Sequence, residues 1–194
     1  MNFPWTRHFQ RYEYAVAKGY VDNKTVVDLG CGDGARGIGM LSSRATYVYG
    51  IDERLVDDVM IELMNDAWRD KNIQTIKRNM FNVTFDGKAD VIIAIEVIEH
   101  MEDVDKFMDL CTRIGNTLFV TTPLVEVTGK TRNPTHAREY SNKDFIEVLS
   151  KRYSDITVVY QQSDLSITNE PVVKGIDSMA TDHVVQMAWC EGVK

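Results

Sequence analysis

One stretch of ten residues, Thr25–Val26–Val27–Asp28–Leu29–Gly30–Cys31–Gly32–Asp33–Gly34, constrains this chain more than any other. Its first half is a β-branched run closed by an acid, and its second half sets three glycines on alternate positions. The first half reads as a buried strand of a parallel sheet. The second reads as a tight strand-to-helix turn, where the backbone must bend sharply and let a ligand approach with no Cβ in the way. A second short strand, Tyr47–Val48–Tyr49–Gly50–Ile51–Asp52, ends in a carboxylate about 20 residues further on. An acid at that spacing can accept hydrogen bonds from ribose hydroxyls, and a first-strand turn of this kind is where doubly wound sheets hold adenosine-containing cofactors.

The rest of the chain extends the same pattern. Phe9, Tyr12 and Val16 share one face of a short helix over residues 6–19, and Ala35–Arg44 reads as the helix after the glycine turn. Residues 54–70 repeat Leu55, Val56, Val59, Met60, Leu63, Met64, Ala67 and Trp68 at helical spacing, followed by a strand at Ile73–Met80. Ala89–Ile95 is the most apolar run and reads as a central strand; Val104, Phe107, Met108, Cys111 and Ile114 mark the helix after it. Strands at Thr117–Thr122, Ile156–Gln161 and His183–Cys190 complete seven, with Ser141–Asp144 resembling a capping box before the helix of Phe145, Val148 and Leu149. No helical period separates the last two strands, so they should pair antiparallel. The expectation is an α/β protein: a Rossmann-like, seven-stranded, mostly parallel sheet with an antiparallel last strand and helices on both faces.

The glycines at 32, 34 and 37 also satisfy a GxGxxG dinucleotide fingerprint. Nicotinamide-binding domains of that kind end in parallel strands and need an added catalytic domain, for which 194 residues leave no chain. The length suits a single domain over 1–194. A net charge of −7 gains little from phosphate electrostatics and argues against bulk nucleic-acid binding. No apolar run approaches the roughly 20 residues of a membrane span, and the N-terminus lacks a signal-peptide core. Cys31, Cys111 and Cys190 are odd in number and unspaced, which reads as buried reduced thiols in a cytoplasmic protein.

The segment Asp28–Gly34 resembles the first motif of class I S-adenosylmethionine-dependent methyltransferases, and Asp52 matches the ribose-binding acid of that family. Arg7–Ala15 is similar to the N-terminal segment that closes over the cofactor in many small members, which implies that residues 1–23 cover the cofactor site. Asn79 and Met80 fall where the family contacts adenine; Asn79 replaces the usual acid, but its carbonyl oxygen can accept the same hydrogen bond. The resemblance implies S-adenosylmethionine as cofactor, S-adenosylhomocysteine as product, and contacts from Arg11, Asp28, Gly30, Cys31, Gly32, Gly34, Asp52, Asn79, Met80 and Glu96.

The acceptor side has its own candidates. The central strand runs directly into Glu96–Val97–Ile98–Glu99–His100, and a carboxylate at such a strand end is costly without a role. Residues 124–140 form a long loop without periodicity, locally basic through Lys130, Arg132, His136 and Arg138 and ending at Tyr140. Methyl transfer to a hydroxyl needs a base, and His100 and His136 are the candidates, because imidazole is the side-chain type suited to proton transfer near neutral pH, with Glu96 four residues before His100 as a further catalytic candidate. Asn133–Ser141 resembles the loop of small methyltransferases of glycan and surface-polymer pathways. The leading expectation is therefore O-methylation of a small-molecule or sugar hydroxyl, with an anionic group of the acceptor read by Lys130, Arg132, His136, Arg138 and Tyr140. Glu96, Glu99, His100 and His136 also suit a divalent metal and are similar to the site of small-RNA 3′-terminal 2′-O-methyltransferases and, in part, of ubiquinone-pathway O-methyltransferases. A metal-dependent RNA-end methyltransferase is thus the second reading, and a cofactor-binding protein acting through a partner, without catalysis, is the third.

Overall fold

The β-branched run Thr25–Leu29 forms the first strand, β1, and every residue after Thr25 in it is buried. We describe the protein from a computed structural model, over residues 5–33, 37–54, 72–129, 133–170 and 184–194. Before β1 lies helix α1 (Trp5–Ala17), and after it α2 (Gly37–Ser42), β2 (Tyr47–Asp52), β3 (Ile73–Lys77) and β4 (Ala89–Ile95). Then come α3 (Val104–Ile114), β5 (Gly115–Pro123), α4 (Asn142–Ser150), β6 (Tyr153–Gln161), β7 (Ile167–Thr168) and β8 (Val185–Val193). The strand order is β3-β2-β1-β4-β5-β8-β6-β7. The chain divides into two compact units, Met1–Ile95 with Arg113–Asn116, and Glu96–Thr112 with Thr117–Lys194.

In the first unit, β1 pairs in parallel with both β2 and β4, and β2 pairs in parallel with β3. A strand flanked on both edges and covered on both faces has no water to meet its side chains, so apart from Asp28 and Asp90 the buried positions of β1 and β4 are apolar without alternation. Asp90 is the polar member of β4, and its Oδ2 accepts the Thr25 backbone N–H at 2.8 Å, tying the start of β1. Tyr12 reaches from α1 toward α2: a Cβ on Gly37 would lie 2.4 Å from its ring, so glycine there permits the close approach.

In the second unit the described strands pair antiparallel: β5 with β8, β8 with β6, and β6 with β7. The expected antiparallel end of the sheet is present, and β8 lies between β5 and β6. The additional β7 falls between the last two expected strands, where no helical period was read. Two residues carry no period, but the turn before them is explicit: Leu165 has φ +74°, Gln162 N–H bonds Ser166 O, and Asp164 Oδ1 accepts Ser166 N–H. Asp103 Oδ1 accepts Lys106 N–H at the start of α3. Ser141 caps α4, with its Oγ accepting Asp144 N–H and donating to Asp144 Oδ2. The reciprocal half of a capping box is replaced, because Ser141 N–H donates to Thr128 Oγ1 instead.

Cys111 and Cys190 are buried free thiols, whereas Cys31 is only half-buried in the glycine turn. Among the described residues, no helix is long and apolar enough to cross a membrane. The expected helix over 54–70, together with Gly34, Lys130, Arg132 and His183, lies outside the described residues except for Arg54 at its start.

Candidate active site

In the first unit the polypeptide leaves β1 through Gly30 and Gly32, whose φ values of 74° and 64° belong to the left-handed region that favours glycine. Gly30 N–H donates to Ile51 O, which draws the turn against the end of β2. Asp52 is bound by backbone on both carboxylate oxygens: Gly32 N–H donates to Oδ2 at 2.9 Å and Arg54 N–H to Oδ1 at 2.7 Å. Where a Cβ on Gly32 would project, no atom of the described residues beyond its chain neighbours lies within 4 Å. A bare backbone facing open space beside a fixed carboxylate fits an adenosine-containing ligand, because it admits a sugar and supplies an acceptor for its hydroxyls.

Beneath the turn, Asp28 is fully buried and accepts the Tyr12 hydroxyl at 3.0 Å on Oδ2. Its Oδ1 is buried with no partner among the described residues. Burial pushes the Asp28 carboxyl up to about 8; the Tyr12 hydrogen bond works against this, and the charge of Asp52 adds to it. The Tyr12 hydroxyl is driven well above its ordinary value, first by its own burial and then by Asp28. Tyr12 was legible only as an apolar helix residue, so its role as the partner of Asp28 is a finding of the structure.

The adenine candidates lie after β3. Asn79 Oδ1 accepts Phe81 N–H at 3.0 Å and so caps the short turn Met80–Asn82, while its Nδ2 donates to Glu53. The amide oxygen is thus already engaged once and retains a second lone pair. Arg11 is buried in α1, at 2% exposure.

In the second unit, Glu96 follows the central strand with φ +55°, a left-handed conformation that costs a non-glycine residue about 1 kcal/mol or more. It is held by β5: Glu96 N–H donates to Thr121 O, and Thr121 Oγ1 donates to Glu96 Oε1 at 3.1 Å. The turn Ile98–His100 then delivers Glu99, which is buried, and His100, which is not, to the loop 124–140. Glu99 O accepts the N–H groups of Ala137 and Arg138, at 2.8 and 3.0 Å, and His100 Nδ1 donates to Thr135 O at 2.8 Å. His136 is thereby brought beside His100, their rings edge-to-face with centroids 4.8 Å apart. On its other side His136 Nδ1 lies 2.7 Å from Glu139 Oε1, both side chains about nine-tenths buried.

The structure therefore unites three of the four residues expected to suit a metal. Glu99, His100 and His136 offer ligand atoms within 4.8 Å of one another; Glu96 is outside that group and bound to Thr121. One carboxylate and two imidazoles fit a borderline divalent ion. Tyr140 is buried with no hydroxyl partner among the described residues. Burial raises its hydroxyl, opposed by the nearby Arg138 charge and reinforced by Glu99. Arg138 is exposed. Glu139 was not singled out from the sequence, although a histidine and an acid three residues apart in a structureless loop are the signal that could have found it.

Comparison with known proteins identifies the fold. Residues 27–116 match the family described as methyltransferase domain. A mitochondrial ubiquinone biosynthesis O-methyltransferase of Dictyostelium discoideum is 24% identical over 115 residues, which cover 53% of this chain and 36% of that one. The chain spans about a third of the length of this curated relative. The N-methyltransferase NodS of Bradyrhizobium japonicum WM9, in complex with S-adenosylhomocysteine, gives a TM-score of 0.63 at 14% identity over 98% of this chain and 89% of its own. The methyltransferase domain of bacterial CtHen1 gives 0.61 at 22% identity over 95% and 99%. This chain has the class I S-adenosylmethionine-dependent methyltransferase fold and is similar, over residues 27–116, to the methyltransferase domain family.

Proposed function

We propose that this protein methylates a hydroxyl of a small-molecule or sugar acceptor, with S-adenosylmethionine as donor and His136 as the base. The observation that carries the reading is the pairing of His136 with Glu139 at 2.7 Å, beside His100, in a loop of basic character. An imidazole oriented by a buried carboxylate is the arrangement that takes a proton from a weakly acidic hydroxyl and stabilises the imidazolium that results. Bound S-adenosylmethionine supplies a methyl carbon attached to sulfonium and departs as the neutral thioether. Asp28, Gly30, Cys31, Gly32, Gly34 and Asp52 would hold it, with Arg11, Asn79, Met80 and Glu96 at its margins. His136 accepts the acceptor's proton as the new carbon–oxygen bond forms, and later returns it to water. Lys130, Arg132 and Arg138 would bind an anionic group of the acceptor, with Tyr140 as a buried donor. The curated relative, an O-methyltransferase, supports a hydroxyl as the atom methylated.

A second reading rests on a different observation, the Glu99, His100 and His136 donor set. A divalent ion there would make the protein resemble metal-dependent 2′-O-methyltransferases of RNA 3′ ends. The two separate in one experiment: transfer of labelled methyl from S-adenosylmethionine into a fractionated cell extract, with added divalent metal or with exhaustive chelation. Label in nuclease-resistant small-molecule or glycan fractions, unchanged by chelation, is the expected result. Nuclease-sensitive, metal-dependent label would replace it with the second reading. On the identified acceptor, Arg138→Ala should raise KM several-fold while leaving the cofactor KM unchanged; an unchanged acceptor KM would remove Arg138 from recognition.

A further inference from the structure

We propose that Glu139 and Asn133 together fix His136 in the tautomer that carries its proton on Nδ1 and leaves the Nε2 lone pair for the acceptor. The argument begins with Asn133, whose amide orientation is decided by its other partners. Its Oδ1 accepts both Thr135 N–H at 3.0 Å and Thr135 Oγ–H at 2.8 Å. The oxygen must therefore be the atom on that side, and the group facing His136 Nε2 at 2.9 Å is the Nδ2 amino group. A donor on one side requires an acceptor on the other, so Nε2 bears a lone pair. The ring proton of neutral His136 then sits on Nδ1 and is donated to Glu139 Oε1, 2.7 Å away. The two contacts come from opposite sides of the ring and demand the same tautomer.

The arrangement makes Glu139 a positioning residue, acting on the acceptor through His136. It also gives Asn133 a double part. In the free protein its amino group occupies the Nε2 lone pair, and the acceptor's hydroxyl would take its place as the donor. A hydroxyl can do so because it too presents a hydrogen to Nε2, whereas a group with acceptors alone cannot. The site is thereby selective for protic acceptors, which is the chemistry O-methylation needs. The tautomer itself is independent of what the protein methylates; only the kinetic consequence rests on His136 as the base.

The test reads the tautomer directly. Long-range proton–nitrogen correlation spectra of uniformly nitrogen-15-labelled protein distinguish protonated from bare ring nitrogens, and only four histidines need assignment, with His136→Gln marking the one of interest. His136 is expected with protonated Nδ1 and bare Nε2. Glu139→Gln should preserve that form, since the glutamine oxygen still accepts. Glu139→Ala should lose it, and Asn133→Asp, which sets an acceptor against Nε2, should draw the proton there. A wild-type His136 protonated only on Nε2, or a tautomer indifferent to Glu139→Ala and Asn133→Asp alike, overturns the proposal. In methyl transfer, Glu139→Ala should lower kcat about 10–100-fold, with most activity retained by Glu139→Gln. A shifted tautomer with wild-type kcat would uphold the positioning role and discard His136 as the base, so the two failures are distinguishable.

Discussion

Around Asp52, the carboxylate is fixed by the N–H of Arg54, two residues away, and by the N–H of Gly32 in a turn pinned to the same strand end. Around His136, the partners are Glu139 and Asn133 from its own loop and a histidine brought in by a contact that spans 35 residues, His100 to Thr135. The glycine turn is made of backbone against backbone, and its side chains are few. The histidine loop is made of side chains that orient one another, with the backbone of Glu99 as their anchor. The first kind of site admits a ligand by leaving atoms out, and the second by placing them. Damage to the turn should therefore appear in cofactor affinity, and damage to the loop in rate.

The largest expected effect tests that division. His136→Gln keeps a polar side chain of similar reach and removes the base, so kcat should fall by about 10²–10⁴. The cofactor Kd from calorimetry should remain within twofold. A matched loss of cofactor affinity would mean that the two regions do not divide the work.

Asp28 supplies the next effect, and its sign follows from burial. In the folded protein its carboxyl holds a proton up to about pH 8, whereas in the unfolded chain it loses it near 4. The fold binds the extra proton across this window, so its contribution to stability is complete below about pH 4, declines as pH rises, and is gone above about pH 8. The slope is up to about 1.4 kcal/mol per pH unit. Asp28→Asn, whose amide oxygen still accepts the Tyr12 hydroxyl, should flatten it. Urea melts of ligand-free protein at pH 5 and pH 8 would show a smaller difference in the variant; an equal difference would place the titrating group elsewhere.

Asp52→Ala follows. It removes a carboxylate fixed by two backbone donors, and a charge-assisted hydrogen bond contributes about 1.5–3 kcal/mol. Cofactor Kd should rise roughly 10–100-fold, while single-turnover rates at saturating cofactor change little. A collapse of the saturated rate instead would make the turn a part of the chemistry.

The same contrast explains what the sequence revealed. Strand β1, its glycines and Asp52 follow local rules, in which a β-branched run, a missing Cβ and a fixed spacing each have one structural outcome. Ala89–Ile95 was legible end to end, because apart from Asp90 it is apolar without alternation, as a strand covered on both faces is. His136 and His100 were legible as candidates by residue type alone. Their partners were not, since Asn133 and Glu139 matter through the direction of a proton, which has no period. Glu96 shows the limit from the other side: a charged residue at a strand end was conspicuous, but its bond to Thr121 depends on a neighbour supplied by β5. Tyr12 was hidden by being amphipathic, an apolar ring for the helix face and a hydroxyl for Asp28.

The smallest effect tests how the loop is seated. Its C-terminal foot is Ser141, which does two things at once: Oγ accepts Asp144 N–H to cap α4, and N–H donates to Thr128 Oγ1 across the loop. Side-chain hydrogen bonds from Thr128, and next from Ser141, hold the Asp144 carboxyl below its ordinary range, with lesser help from the charges of Lys143 and Arg138. Ser141→Ala removes the cap and keeps the backbone donor, so it should cost about 1 kcal/mol, a typical N-cap loss. Because Thr128 retains its partner, the loop should stay in place and kcat should hold within about twofold of wild type, as expected of a surface change outside the machinery. Ser141→Gly, which tolerates the cap conformation, should recover part of the stability. A large fall in kcat for Ser141→Ala, with stability lowered by no more than a typical cap, would show that the loop's histidine is positioned from α4 and not from Glu99.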